Sequence, residues 1–255
     1  MRFAWLVVLS WLLSACATEE VIKPGVNPAE SARSRVAIAA QYLQKGEQDK
    51  ALRHLQRALE QDPKSWEAHS VMGVLMEQEG DDKRAEEHYR KAISLNEDYP
   101  QAHNNYGVML FRLKRYDESI RQLSLAAGNL AYDRRESAYE NLGKAYLAAS
   151  DNAQARQAFE KALRLEPRLP EASLELAYMA FEAHDMPRAN LYFQRHQKAL
   201  DGETPSARSL WLGTILARER GDREASASSA AMLKKLYPDS REYQSYLKSL
   251  GQDIR

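Results

Sequence analysis

Six histidines, one cysteine and a Gly-Lys pair are the residues whose types could carry reaction chemistry in this chain. An imidazole can shuttle a proton or ligate a metal near neutral pH, and a thiolate can attack an electrophile. Both uses need partners at defined spacing. No H-E-x-x-H stretch puts two ring nitrogens on one helix face, and no G-x-S-x-G turn presents a serine nucleophile. Gly143-Lys144 lacks the upstream glycine of a phosphate-binding loop. His69 and His103 each follow an alanine and stand 34 residues apart, which points to a recurring packing position rather than a metal site. His54, His88, His184 and His196 show no ligand spacing. No nucleophile is matched to a base. The expectation is a protein without enzymatic activity: no catalytic residue, no metal and no small-molecule substrate.

The one thiol, Cys16, ends the most apolar run of the chain, "RFAWLVVLSWLLSAC". The apolar part, residues 3–13 with a single serine at 10, falls short of the roughly 20 residues that span a bilayer. A cationic start at Arg2, a short apolar core and small residues before a cut describe a secretory signal peptide. Leu13-Ser14-Ala15-Cys16 resembles a bacterial lipobox, in which the cysteine sulfur takes a diacylglycerol and the chain is cut before it. The alternative is an ordinary signal peptide with an incidental cysteine. The lipobox reading makes residues 1–15 the removed peptide, Cys16 the lipidation site, and the covalent lipid (palmitate among its acyl chains) the only non-protein group. Residues 16–31, "CATEEVIKPGVNPAES", have no periodicity and contain two prolines and a glycine, so they read as a tether.

Lys plus Arg and Asp plus Glu both number 36, so no basic field points to nucleic acid. With one cysteine the chain can form no internal disulfide, and stability must come from packing. The composition favours helices: rich in Ala, Leu, Glu, Gln and Arg, poor in Val and Ile.

Self-similarity supplies the organisation. "AHSVMGVLMEQEGDDKRAEEHYRKAI" from 68, "AHNNYGVMLFRLKRYDESIRQLSL" from 102 and "AYENLGKAYLAASDNAQARQAFEKAL" from 138 share one pattern. Gly73, Gly107, Gly143, Ala177 and Gly213 form a column spaced 34, 36, 34 and 36, and Ala39 precedes it by 34. Ala51, Ala85, Ser119, Ala155, Ala189 and Ala225 form a second column; Leu55, Tyr89, Leu123, Phe159, Phe193 and Ser229 form a third. The pattern resembles the 34-residue helix-turn-helix unit of the tetratricopeptide repeat (TPR). It implies an all-α, right-handed superhelix of six repeats, about 32–65, 66–99, 100–135, 136–169, 170–205 and 206–238. A last helix at 239–250 closes the stack, with Asp239 and Glu242 as a capping box. Repeats five and six depart from the pattern. His196 and Met232 replace a small residue late in the second helix, and Ser229 replaces an aromatic.

Family geometry lines the concave face with positions 5, 9 and 12 of each repeat. These are Val36, Ala40 and Leu43; Ser70, Val74 and Glu77; Asn104, Val108 and Phe111; and Leu174, Tyr178 and Phe181. The apolar candidates for gripping a partner are Val36, Ala40, Leu43, Val74, Val108 and Phe111, the alternative being packing against a neighbouring repeat or the tether. Asn105 and Asn141 occupy a repeat position where asparagine serves structural hydrogen bonds. Asn104 and Lys144 supply only part of a carboxylate-clamping set.

"NNYGVMLFRLKRYDESI" (104–120), "RSLWLGTILAR" (208–218) and "LKKLYPDSREYQ" (233–244), on six repeats behind a lipobox, resemble the PilF/PilW pilotin family of type IV pilus biogenesis lipoproteins. The resemblance implies a periplasm-facing lipoprotein of the outer membrane. It would bind the secretin PilQ, promote its localisation and multimerisation there, and so support pilus biogenesis and twitching motility. Ala17, in place of an aspartate after the cysteine, is compatible with outer-membrane delivery. The alternative is a TPR lipoprotein adaptor for cell-wall hydrolases or for another secretion pore.

Overall fold

The computed structural model describes residues 27–251. The expected signal peptide, Cys16 and most of the tether lie outside the described residues. Thirteen helices and no strands occur among those described. They run as six antiparallel pairs: α1 (Pro28–Gln44) with α2 (Gln48–Gln61), α3 (Trp66–Gln78) with α4 (Asp82–Leu95), α5 (Pro100–Arg112) with α6 (Tyr116–Gly128), α7 (Arg135–Ala148) with α8 (Asn152–Leu165), α9 (Pro170–Glu182) with α10 (Met186–Ala199), and α11 (Ala207–Glu219) with α12 (Arg223–Leu236). α13 (Arg241–Ser249) packs on α11 and α12. The stack is a superhelix of helix hairpins, each touching mainly its neighbours. No described helix is long and apolar enough to cross a membrane.

Local chemistry sets the helix ends. Asp81, Asp151, Asp185 and Asp222 cap second helices with their side chains, satisfying amides that have no partner inside the helix. Pro100 and Pro170 stand at the first helical position, where a missing N–H costs nothing. The residue ending each hairpin turn needs a left-handed backbone. Gly46 and Gly80 supply it freely, but Lys114, Ser150 and His184 adopt it with φ of 60°, 64° and 57°.

Close crossings explain the columns. A Cβ on Gly73, Gly107 or Gly143 would sit 2.6 Å from Tyr89, Leu123 or Phe159 respectively, so each third-column side chain lies flat on its glycine. Ala39, Ala51, Ala85, Ser119, Ala155 and Ala189 are fully buried. The largest core cluster runs through α1 to α5. Repeats two and three are also joined by ionic hydrogen bonds. Arg112 donates to Glu77 (3.2 Å) and Asp82, and Arg115 and Tyr106 both donate to Glu86 (2.7 Å each); within repeat two, Tyr89 Oη donates to the same Glu77 (2.5 Å).

Three expectations need correction. α1 begins at Pro28, so residues 28–31 are its first turn rather than tether; Asn27 Oδ1 accepts from the Ala29 amide at 3.0 Å. The cap of α13 is Ser240, whose Oγ accepts from the Tyr243 amide at 3.2 Å, one residue after the expected Asp239. Repeat six is shifted by one. In repeat two the column glycine lies eight residues after the cap Ser65 and seven before the left-handed Gly80. The same steps from Ser206 and Gly221 both land on Thr214, not Gly213. Thr214, Ala230 and Leu233 are buried accordingly, whereas Met232 is 40% exposed. Ser226 Oγ donates to the Thr214 carbonyl (3.1 Å) as Ser119 Oγ does to Gly107 (2.7 Å). The shift moves that late second-helix place from Met232 to Leu233, which is buried but no smaller, so repeat six still departs from the pattern there.

Candidate functional site

The first helices α1, α3 and α5 stand side by side along the inner face and enclose an open groove of about 670 Å³. Val36 and Leu43, each 7% exposed, form its floor and belong to the core beneath it. Half-buried Ala40 and Val74 reach its surface, and Ala37 is open to solvent. One wall carries Arg33, 3.4 Å from Glu67. The other carries Gln101, Asn105 and Arg134. Tyr99 also lines the groove; burial pushes its phenol up to about 12, so it remains protonated at neutral pH.

Four of the six expected contact residues thus meet in one place. Val108, 41% exposed, and Phe111 are not part of the groove. Phe111 packs beside Tyr116, with ring centroids 5.7 Å apart. In repeat five, Tyr178 stacks on Trp211 (5.9 Å) and Phe181 meets the same indole edge-on (6.0 Å), so these residues pack on the next repeat. Arg208 covers the Tyr178 ring at 4.0 Å and pairs with Glu175, which is 8% exposed. Trp211 and Arg208 escape a reading by columns, because they come from the loop-proximal start of α11 and reach back across a repeat boundary.

A continuous line of amides extends the groove wall. Tyr132 Oη donates to Gln101 (3.2 Å), and Gln101 Nε2 donates to Asn105 Oδ1 (2.8 Å). Asn104 Nδ2 donates to the same oxygen (3.4 Å), and Asn141 Nδ2 donates to Asn104 Oδ1 (3.3 Å). Lys144 is paired with Glu140 on its own helix at 2.8 Å.

Four of the histidines are packed groups, whereas His184 is exposed in a hairpin turn. His103 bonds to the Glu97 carbonyl (2.8 Å) and Gln122 (2.7 Å), and His196 to the Pro170 carbonyl (2.9 Å) and Ser209 (2.7 Å). His69 and His88 face each other through Nδ1 at 3.0 Å, and burial lowers the pKa of both. No group of three or more metal-ligating side chains occurs among the described residues.

Antiparallel hairpins in superhelical array, small residues at the crossings and an inner groove define a tetratricopeptide-repeat solenoid. Models of the tetratricopeptide repeat match residues 83–134 and 140–204, and a TPR repeat model matches 40–80. The kinship is narrower than the repeat. The chain is 34% identical over 249 residues to the type IV pilus assembly protein PilF of Pseudomonas aeruginosa, covering 96% of this chain and 98% of that one, and it belongs to the PilF family. The solved structure of Pseudomonas aeruginosa PilF superposes with a TM-score of 0.84 at 35% identity, covering 88% of this chain and all of that one. PilW, described as a widely conserved type IV pilus biogenesis factor, superposes at 0.71 with 27% identity, over 85% of this chain and 98% of its own.

Proposed function

We propose that this protein is a non-enzymatic scaffold of type IV pilus biogenesis: a lipid-anchored pilotin on the periplasmic face of the outer membrane. It binds the secretin PilQ through the inner groove and promotes its delivery and multimerisation there. The observation that carries this reading is the match to PilF along nearly the whole of both chains. The groove supports it with an accessible apolar strip of a kind that accepts a partner segment. The anchor acts by mass action. A lipidated Cys16 holds the solenoid at one surface, which raises the local secretin concentration where the ring must assemble.

The test separates address from grip. Cys16→Ala should leave a folded, secretin-binding protein that no longer delivers its partner. Val36 and Leu43 are core residues, so charges there would unfold repeat one. Ala37→Glu with Ala40→Glu instead places carboxylates on the groove surface with good helix formers. This variant should keep its thermal midpoint and reach the membrane, yet lose secretin capture and multimer formation. Normal capture by the double variant would remove the groove from the mechanism.

A further inference from the structure

The outer face of the solenoid, built from the second helices, changes character halfway along. α2, α4 and α6 together carry eight Lys and Arg against seven carboxylates, whereas α8, α10 and α12 carry nine against two. The surplus has a repeating place. Arg164, Lys198 and Lys235 each stand nine residues after the second-column residue, which is Ala155, Ala189 and, in the shifted register of repeat six, Ser226. The same place holds Glu60, Ser94 and Gly128 in repeats one to three. A cation in the last turn favours the helix dipole. Yet α2, α4 and α6 form without one, so the fold does not require it. Three residues earlier on the same helix face, Lys161 and Arg195 add two more. All five are exposed, and among the described residues none is held by an ion pair; Lys161 and Arg195 lie only over the rings of Tyr139 and Tyr192. Glu160, one turn before Arg164, does not pair with it, and neither Glu166, Asp201 nor Glu203 of the adjoining loops pairs with any of the five.

Apolar side chains are interleaved with these cations. Leu165 follows Lys161 by four residues, Leu191 precedes Arg195 by four, and Met232 and Leu236 flank Lys235. All four are 40–49% exposed. Residues three or four apart share a helix face, so charge and alkyl surface alternate on one side. That mixture matches a phospholipid surface: ammonium and guanidinium groups pair with phosphates while alkyl groups enter between the headgroups. A convex face spread over three repeats also meets a broad plane better than a single segment. We infer that the outer face of repeats four to six is a second membrane contact, lying on anionic phospholipid headgroups through Arg164, Lys198 and Lys235. The inference rests on the membrane anchor proposed above and adds the orientation of the solenoid upon it. The eleven residues from Cys16 to Asn27 reach at most about 40 Å. They tie α1 to the membrane without fixing the angle of the stack. A contact at the far end fixes that angle, and tethering makes even a weak second contact effective. The inner face of these repeats then turns away from the lipid.

The test uses the processed, lipidated protein in vesicles, so the anchor is constant and only the patch varies. Leu191→Cys carries a fluorophore on the patch, and Ala37→Cys carries the same label on the inner face as a control. One set of vesicles is phosphatidylcholine; the other is equimolar phosphatidylcholine and phosphatidylglycerol. Both contain a trace of lipid with a nitroxide headgroup, which quenches a label that touches the surface. The Leu191→Cys label should be quenched on the mixed vesicles while the Ala37→Cys label stays bright. On phosphatidylcholine alone, or on mixed vesicles in high salt, both should stay bright. Arg164→Gln, Lys198→Gln and Lys235→Gln together keep good helix formers at exposed positions. They should lower the ratio of docked to free patch about a hundredfold, or about fivefold for each cation, with helicity and secretin capture retained. A Leu191→Cys label that stays bright on mixed vesicles, or that is quenched equally on phosphatidylcholine, overturns the inference. So does a label shielded by isolated peptidoglycan and indifferent to phosphatidylglycerol, which would give the face to the cell-wall polymer. If the processed chain does not stay on phosphatidylcholine vesicles, the anchor of the proposed function fails first. Quenching on the mixed vesicles would then still support the patch, and its absence would overturn it.

Discussion

Gly143→Ala puts the packing logic of the repeat at risk in one substitution. A Cβ there would stand 2.6, 2.7 and 2.8 Å from three ring carbons of Phe159, about 1 Å inside ordinary carbon contact. The ring is fully buried and enclosed by Ala172 and Leu176 of α9, so it cannot swing aside. Repeat five shows what relief looks like. There Ala177 occupies the column, and Phe193 extends towards Gly213 of α11, where a Cβ would lie 2.8 Å from its tip. Phe159 has no glycine to lean on, so α7 and α8 must part or the ring must leave its rotamer, at about 1–3 kcal/mol. Against this, alanine is favoured over glycine within a helix by about 1 kcal/mol. The net expectation is a loss of up to about 2 kcal/mol. Gly128→Ala calibrates the opposing effect: it lies in the last turn of α6, with nothing within 4 Å of its Cβ, and should gain about 0.5 kcal/mol. Phe159→Ala alone should cost about 3–5 kcal/mol. Combined with Gly143→Ala it should cost less than the sum by 1 kcal/mol or more, because the new methyl enters the space the ring leaves. Urea unfolding followed by circular dichroism, with hydrogen exchange at α7 and α8 amides as a local readout, measures all four. If Gly143→Ala stabilises as Gly128→Ala does, or if the double variant is additive, the contact does not govern the crossing.

Further outcomes follow from the buried charges and imidazoles. Burial depresses the pKa of His69, His88 and His196, whose neighbours include Lys91, Arg84 and the Pro63 and Pro170 carbonyls. The unfolded chain takes up protons at these sites first, so stability is full above about pH 6.5 and declines as pH falls below it. Glu86, held at about 2 chiefly by Arg115, contributes stability that is intact above about pH 4.5 and lost towards pH 2. His88→Gln reproduces in repeat two the His103–Gln122 pair of repeat three and should flatten only the upper window in denaturation curves between pH 7.5 and 5. Arg208→Ala should cost about 2–3 kcal/mol, because it strands the carboxylate of Glu175; Glu175→Leu in the same chain should recover most of it.

The columns that sequence periodicity exposes are the ones physics makes strict. Gly73, Gly107 and Gly143 admit no side chain, so their spacing survives along the chain and displays the repeat. The longer steps are legible too, although the last, from Ala177 to Thr214, is 37 residues rather than the 36 that Gly213 suggests; their extra residues fall in the loops between hairpins, where Tyr132 tucks back to Gln101 and Tyr237 Oη donates to the Pro205 carbonyl (3.0 Å). Register in repeat six was hidden because Gly213 mimics the column one residue early. That glycine accommodates Phe193 from the preceding repeat, a contact no single-repeat pattern contains. The groove was half legible. Position numbers place Val36, Ala40, Leu43 and Val74 on one face, but only packing separates floor from rim, and only the hairpin geometry leaves Val108 and Phe111 outside. The amides were visible as residues, and Asn105 and Asn141 do make side-chain hydrogen bonds along the wall. Which partners they meet is a matter of geometry across repeats, which spacing does not carry.

Where the groove sits along the solenoid bears on how it can work. In a repeat array each unit is as firm as its own core and its two interfaces. The groove lies over the largest core cluster, on the repeats tied together by the Arg112 and Arg115 networks. At the other end, α13 has no buried residue, and Leu236 and Met232 of α12 remain about 40% exposed. Fraying should therefore begin at repeat six and die out before α5. A binding surface gains most from being rigid beforehand, because ordering it on binding would cost free energy. Hydrogen exchange should accordingly show protection rising from α13 towards α3, with secretin binding adding protection at α1, α3 and α5 and little at α11 to α13. Added protection concentrated on the last repeat would place the grip at the soft end, and the argument from a preformed groove would fail.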